Sequence, residues 1–324
     1  MEMKNVVAGV DIGGTNSAFG LVDIHGNIVA DGSMVTTDFP LIKDFVSILL
    51  SGINDLVKGN SDLNLVGIGI GAPNANYHKG TIELAPNLAW KGIVPLADLI
   101  KEKINLPVVV TNDANAAAVG EMIFGGAKNM NDFIILTLGT GLGSGIVTNG
   151  EVLYGYTGFA GELGHTTVVP GGRVCGCGRK GCYETYASAT GLVRTAIHLL
   201  SQMRDESSLR DIPPSELTSK RIAEAARKKD PIAVEAMNYT AEMLAAGIVN
   251  AIVFSSPEAV FLFGGLAQAG DVLFEPVRKY VENNVMPVFK GSVKILPSEI
   301  PESNAAVLGA AALVWKDLIK QGQV

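Results

Sequence analysis

Two short stretches of this chain repeat one design, and the repetition limits what the whole can fold into. Asp11-Ile12-Gly13-Gly14-Thr15 closes an apolar run at residues 5–11 and leads into strand-like runs at 17–24 and 28–35, joined by His25-Gly26-Asn27. Residues 133–138 are apolar again and reach Gly139-Thr140-Gly141, a second strand at 144–148, and Asn149-Gly150, a strong hairpin signal before 151–153. Two shared turns at nearly equal separation indicate two copies of one unit, each beginning with an antiparallel meander.

Behind the first meander, residues 39–57 carry apolar side chains at helical spacing, and 65–70 and 108–111 read as buried strands of the parallel type, so a βαβ layer follows. A helix at 114–124, with Asn112 or Asp113 to cap it, leads out of the first lobe. The second half continues through helices at 186–203, 219–228 and 231–255, with a polar, proline-bearing loop at 205–214. A strand at 259–263 is closed by Gly264-Gly265, and helix 271–283, strand 293–296 and an alanine-rich helix at 304–319 complete the pattern. A chain of 324 residues, 48% hydrophobic and 18% charged, is long enough for two cores. The expected fold is α/β in two lobes, 1–113 and 114–303.

The net charge of −7 disfavours nucleic acid and anionic membrane surfaces as partners, and Arg227-Lys228-Lys229 is the longest basic block. Residues 1–10 show no charged leader before a long apolar run, so a cytoplasmic protein is expected. The apolar stretch 241–254 is interrupted by Glu242 and Asn250 and is too short to cross a bilayer; it reads as a core helix.

The glycine turns sit where buried strands end, which exposes backbone N–H groups and a threonine hydroxyl to an anion. Gly13, Gly14 and Thr15 on one side and Thr140 and Gly141 on the other, facing across a cleft, would clamp a triphosphate. Neither segment spells the dinucleotide glycine fingerprint, and no P-loop occurs. Asp11 has two readings: a carboxylate near the phosphates and their Mg²⁺, commonly through water, or an Asx cap of the turn. Asp113 follows the apolar run Val108-Val109-Val110, at the carboxyl end of a strand where ligands gather, and an aspartate there suits proton acceptance from an attacking alcohol. Asn112 and Asn87 add amides, and Glu162 and Glu184 add acceptors, for a polyol whose hydroxyls need fixed partners.

All three cysteines fall in one segment. His165, Cys175, Cys177 and Cys182 supply the donor types and four-coordination that zinc prefers, although the spacing is not that of a zinc finger. A disulfide plus a spare thiol is disfavoured by the odd count and by the absence of a secretory signal. Three thiolates and an imidazole close the shell, so the expected zinc is structural, and its hold on one nitrogen of His165 leaves the other for a substrate hydroxyl.

Asp11-Ile12-Gly13-Gly14-Thr15-Asn16, Asn112-Asp113-Ala114-Asn115-Ala116, Gly161-Glu162-Leu163-Gly164-His165 and the run from Cys175 through Cys177-Gly178-Arg179-Lys180-Gly181-Cys182 to Glu184 together resemble the ROK family of sugar kinases and sugar-responsive repressors. The resemblance covers essentially the whole chain, and the cysteine run is its most specific part. It implies an actin-like, hexokinase-like ATPase fold of duplicated ribonuclease H-like domains, with the last helix, 304–324, returning to the first lobe. It implies ATP with Mg²⁺ as phosphoryl donor, structural Zn²⁺, and a hexose as acceptor, glucose first. Asp113 would be the base toward the 6-hydroxyl; Asn87, Asn112, Glu162, His165 and Glu184 would hold the other hydroxyls. Gly14, Thr15, Thr140 and Gly141 would face the phosphates, and Gly264-Gly265 the adenosine. Other members often carry lysine where this chain has Asn16, which is therefore given no role. A homodimer is implied as well. The alternatives are a kinase for N-acetylglucosamine, N-acetylmannosamine, fructose or allose, chosen by walls such as loops 74–81 and 154–159, or a sugar-sensing repressor. The repressor branch needs a DNA-binding module ahead of a strand that here begins by about residue 5.

Overall fold

The computed structural model describes residues 3–301 and 304–322. They divide into two compact units. The first takes the described residues up to Met130, the segment Val152–Ala160 and the residues from Ser298 onward; the second takes Asn131–Glu151 and Gly161–Pro297.

In the first unit β1 (Lys4–Ile12), β2 (Asn16–Val22) and β3 (Ile28–Val35) form the antiparallel meander that the turns at Gly13-Gly14 and His25-Gly26 call for. α1 (Ile42–Lys58) buries Phe45, Val46, Leu49 and Ile53, the apolar stripe read from its spacing. It leads to β4 (Leu63–Gly71), which pairs with β1 in parallel. A small antiparallel sheet of β5 (Ala75–Asn76), β6 (Thr81–Glu83) and β7 (Ile93–Val94) follows, with α2 (Leu96–Lys101) behind it. These elements have no counterpart in the sequence reading, because strands of two or three residues are too short to show a period. β8 (Val108–Thr111) then joins β4 in parallel, giving the order β3-β2-β1-β4-β8, and α3 (Asp113–Ile123) leaves it.

The second unit repeats the plan. β9 (Phe133–Leu138), β10 (Leu142–Thr148) and β11 (Glu151–Val152) form its meander, and the last turn has positive φ at both Asn149 (52°) and Gly150 (74°), as a two-residue hairpin of this kind requires. α4 (Ala189–Gln202), α5 (Ser219–Arg227) and α6 (Pro231–Ser255) precede β12 (Ala259–Phe263), then α7 (Asp271–Asn284) and β13 (Lys294–Pro297). The sheet order β11-β10-β9-β12-β13, with β12 parallel to both neighbours, matches the first sheet strand for strand. The copies differ in their first turns: Ile12 pairs with Ser17, whereas Leu138 pairs with Leu142. Residues 205–214 are not a plain exposed loop. Ser207 and Ser208 bond to Asp230, and Leu209 is buried beneath them. α6 is long and apolar enough to span a membrane by length and composition alone, yet it packs against α4, α5 and α7.

α8 (Ala305–Lys320) lies against β1, β4 and α3 in the first unit. It approaches so closely that a Cβ at Gly69 would collide with the Ala310 carbonyl, and Trp315 at its far end is fully buried with its indole N–H donating to the Val22 carbonyl at 3.2 Å. α3 packs along α8, and buried Glu121 of α3 accepts from the Glu299 N–H at 3.1 Å. The boundary expected at 113/114 therefore falls at 130/131, because α3 is held by a helix nearly two hundred residues away in sequence rather than by its own neighbours.

Candidate functional site

In the first unit the carboxyl ends of the parallel strands bring Asp11, Gly71 and Thr111 side by side, with Asp11 opposite Gly71 and Gly71 opposite Thr111. The chain then enters α3, where Asn112 is the N-cap and its Oδ1 accepts from the Asn115 N–H at 2.7 Å. Of the two caps considered, Asn112 does the capping, and the amide edge left for a ligand is its Nδ2 donor. Asp113 is thereby the first helical residue, and its Oδ1 accepts from the Ala114 N–H at 2.9 Å. Asp113 retains solvent-accessible surface, but the protein packed around it strips hydration and raises its carboxyl above the ordinary 3.8, against the two backbone N–H bonds that favour the charge.

Asp11 is half-buried, and its carboxyl is pushed up from 3.8 to about 6, first by desolvation and then by the charge of Asp113. The turn beside it is closed by the backbone, with the Gly13 N–H donating to the Asn16 carbonyl at 3.0 Å. Among the described residues no donor reaches the Asp11 side chain. The cap reading fails for Asp11, and a half-buried carboxylate with no donor at it is what a cation or ligand would satisfy. Gly14 lies directly against Asn87, whose carbonyl oxygen would stand 2.7 Å from any Cβ added there. The first glycine turn, Asn87, Asp11 and the Asn112-Asp113 pair thus share one end of this unit; Thr15 is exposed next to them.

In the second unit Gly139-Thr140-Gly141 joins β9 to β10, and the Ala189 N–H donates to the Gly139 carbonyl at 2.9 Å while Thr190 Oγ1 donates to the Thr140 carbonyl at 2.6 Å. The turn is therefore fastened to the start of α4. Gly264, with φ of +96°, follows β12 and abuts Leu138 at the end of β9, so Gly264-Gly265 neighbours the second glycine turn across the parallel pair.

Ser144 of β10 holds the next group. Its hydroxyl donates to the Gly161 carbonyl and accepts from the Leu163 N–H at 3.2 Å, which fixes the backbone on both sides of Glu162. His165 ends the short 3₁₀ turn that follows. Its Nδ1 is 3.6 Å from Cys175 Sγ, Cys177 Sγ is 3.7 Å from Cys182 Sγ, and the four donor atoms lie within 4.8 Å of one another. Bonds of about 2.3 Å to a tetrahedral zinc imply sulfur–sulfur edges of about 3.8 Å, so this donor set fits the metal. All three thiols are free, at separations far beyond a disulfide bond. Because Nδ1 turns toward the sulfurs, Nε2 is the ring nitrogen left outside the cluster.

Glu184 joins the thiol cluster to the glycine turn. Its Oε1 accepts from Cys175 Sγ at 3.0 Å and lies 3.9 Å from His165 Nδ1, while its Oε2 would stand 2.7 Å from a Cβ at Gly141. Arg173 pins the same loop to α4, donating to the carbonyls of Thr185 and Gly191 and to Thr195 Oγ1 while its guanidinium lies 4.5 Å from the Tyr186 ring centre. Sequence reasoning missed Ser144 and Arg173; a lone serine in a glycine-rich strand and an arginine in a glycine-rich loop carry no spacing signal.

The ROK family profile matches residues 7–317, and the chain belongs to the ROK family. It has the family's α/β kinase fold: a ROK glucokinase from Streptomyces griseus, solved with glucose and AMPPNP, superimposes with a TM-score of 0.78 at 35% identity, covering 95% of this chain and 98% of that one. The glucokinase of Streptomyces coelicolor is 39% identical over 276 residues, 84% of this chain and 85% of its own length. The xylose repressor of Bacillus subtilis is 31% identical over 310 residues, 94% of this chain and 76% of the repressor.

Proposed function

We propose that this protein is an ATP-dependent hexokinase that phosphorylates glucose at its 6-hydroxyl. The observation that carries the reading is the Asp11–Asp113 pair, two carboxyls of raised pKa at the carboxyl ends of parallel strands in a chain similar to glucokinases. Asp113 accepts the proton of the 6-hydroxyl as that oxygen attacks the γ-phosphorus in line; its raised pKa makes it a stronger base than an exposed aspartate. The N–H groups of Gly13, Gly14 and Gly141, with the hydroxyls of Thr15 and Thr140, bind the phosphates, and Gly264-Gly265 lies on the adenosine side. Asp11 is the carboxylate that would hold, commonly through water, the Mg²⁺ that comes with the nucleotide, and the ion would supply neutralisation of developing phosphate charge.

Asn87, the Nδ2 of Asn112, Glu162, the Nε2 of His165 and Glu184 pair the remaining sugar hydroxyls. Cys175, Cys177, Cys182 and the Nδ1 of His165 would hold a structural zinc, whose contribution would be to brace this loop rather than to act on substrate. The same reading makes the protein a cytoplasmic homodimer with no nucleic-acid partner. The kinase reading is preferred to that of a sugar-sensing repressor because the glucokinase relatives are more similar to this chain than the repressor is.

A coupled ATP-consumption assay over a panel of hexoses and N-acetylhexosamines tests the function. Glucose should give the highest kcat/KM, and Asp113→Asn should lower kcat by a hundredfold or more, about the share general-base catalysis contributes, with sugar binding retained. Turnover of none of the sugars, or near-normal turnover by Asp113→Asn, would overturn the reading.

A further inference from the structure

The segment Val152–Ala160 follows the second meander in sequence yet folds with the first unit. An aromatic and amide cluster fastens it there. The Tyr154 ring stacks on Tyr77 at 3.9 Å with planes 1° apart, and the His78 ring stands edge-on to both at 5.9 Å. His78 Nε2 is 2.8 Å from the Gly155 carbonyl, which requires that nitrogen to be the donor. Asn76 is fully buried. Its Nδ2 donates to the Thr157 carbonyl at 2.9 Å and its Oδ1 accepts from the N–H groups of His78 and Lys79 at 3.1 and 3.3 Å. A buried amide is tolerated when its bonds are made, and here one of them is made only while the loop is docked.

The position of this cluster gives it a use. Asn76 ends β5, and the connection between β6 and β7 of the same small sheet carries Asn87. The docked loop ends at Ala160, two residues ahead of Glu162. Asn87 thus belongs to the platform on which the loop is docked, and the chain leaving the loop runs on to Glu162.

We propose that Asn76, Tyr77, His78 and Tyr154 form a clasp that positions the loop 153–160 and, through it, sets which hexose the enzyme accepts. The proposal rests on the reading of Asn87 and Glu162 as sugar ligands. The four are positioning residues; they act through the loop rather than on substrate. A site that reads hydroxyls discriminates only while its partners are held in place, so releasing the loop penalises the preferred sugar more than its analogues.

The test compares Tyr154→Ala, Asn76→Ala and Tyr154→Phe in the full-length protein. KM and kcat are measured for glucose, mannose, N-acetylglucosamine and ATP, alongside chymotryptic cleavage at the fully exposed Tyr156. Tyr154→Ala and Asn76→Ala should raise the glucose KM about tenfold, narrow the preference for glucose by a similar factor and speed cleavage, with the ATP KM within about twofold. Tyr154→Phe keeps the stacking ring and should retain most of the glucose preference that Tyr154→Ala loses. If Asn76→Ala does not fold, Tyr154→Ala carries the comparison. An unchanged glucose preference in a Tyr154→Ala enzyme whose loop is cleaved faster would overturn the clasp, as would Tyr154→Phe failing as badly as Tyr154→Ala. Glu162→Gln separates the two levels: an unaltered sugar KM in that variant removes the sugar-ligand reading, whereas a raised KM there beside an unchanged Tyr154→Ala preference removes the clasp alone.

Discussion

Asp11→Asn should stabilise the unliganded protein at pH 8 while removing most of its phosphoryl transfer. Burial, aided by the charge of Asp113, pushes the Asp11 carboxyl from 3.8 up to about 6. Between those values the folded chain binds more protons than the unfolded one, so stability falls as pH rises from 3.8 to about 6 and stays at the lower level above. A rise of about two units corresponds to about 3 kcal/mol. At pH 4 most of that cost has not yet accrued, and the expected remainder is below about 1 kcal/mol. Asparagine has nearly the same shape and no charge, so it removes the cost at every pH.

The assay is urea unfolding without nucleotide or divalent cations, followed by tryptophan fluorescence. Trp90 and Trp315, the chain's two tryptophans, are both buried in the first unit, so the signal reports on the unit that contains Asp11. Asp11→Asn should exceed wild type by about 2–3 kcal/mol at pH 8 and by less than about 1 kcal/mol at pH 4. A gain of equal size at both pH values, or no gain at pH 8, would refute the argument that ionising this carboxyl costs stability.

Other substitutions probe other parts of the arrangement. Gly141→Ala puts a methyl 2.7 Å from Glu184 Oε2, and displacing that carboxylate should lower kcat/KM for the sugar by about 10- to 100-fold, the worth of a charged hydrogen bond; an unchanged sugar KM would show that Glu184 does not grip the sugar. Cys177→Ser, or exhaustive chelation, should release one zinc per chain in a metal assay and lower the melting temperature, and a metal-free protein of full stability and activity would remove the scaffold role. Gly69→Ala drives a methyl into the Ala310 carbonyl of α8 and should cost about 1–3 kcal/mol or more in the tryptophan-reported transition, whereas a neutral result would mean that α8 yields easily.

Much of the framework was legible because its signals are local. The strand runs, the Asn149-Gly150 hairpin, the α1 stripe and the end of α6 at Ser255 follow from residues that are neighbours in sequence. The cysteine cluster was legible for a different reason: thiols and an imidazole so crowded together have few structural uses besides a metal. The features that escaped depend on distant partners. The unit boundary near 130 follows from α3 meeting α8, and the small β5–β7 sheet carries too few residues to show alternation. The two readings of Asp11 were equal in sequence, and among the described residues no hydrogen-bond donor meets its carboxylate, which removes the cap reading. Glu184 could be named as a sugar acceptor, but only folding brings its carboxylate against Gly141.

The seating of α8 on β1 and β4 also has a consequence for synthesis. β1 leaves the ribosome long before α8, the helix that covers it, is made. At about 5–20 residues per second the face around Gly9 and Gly69 waits about 15–60 s for its cover. During that interval the whole of Asn131–Glu151 and Gly161–Pro297 emerges and can fold as a unit. The later-made unit can therefore be finished first, and the earlier-made one is sealed only once α8 has followed it.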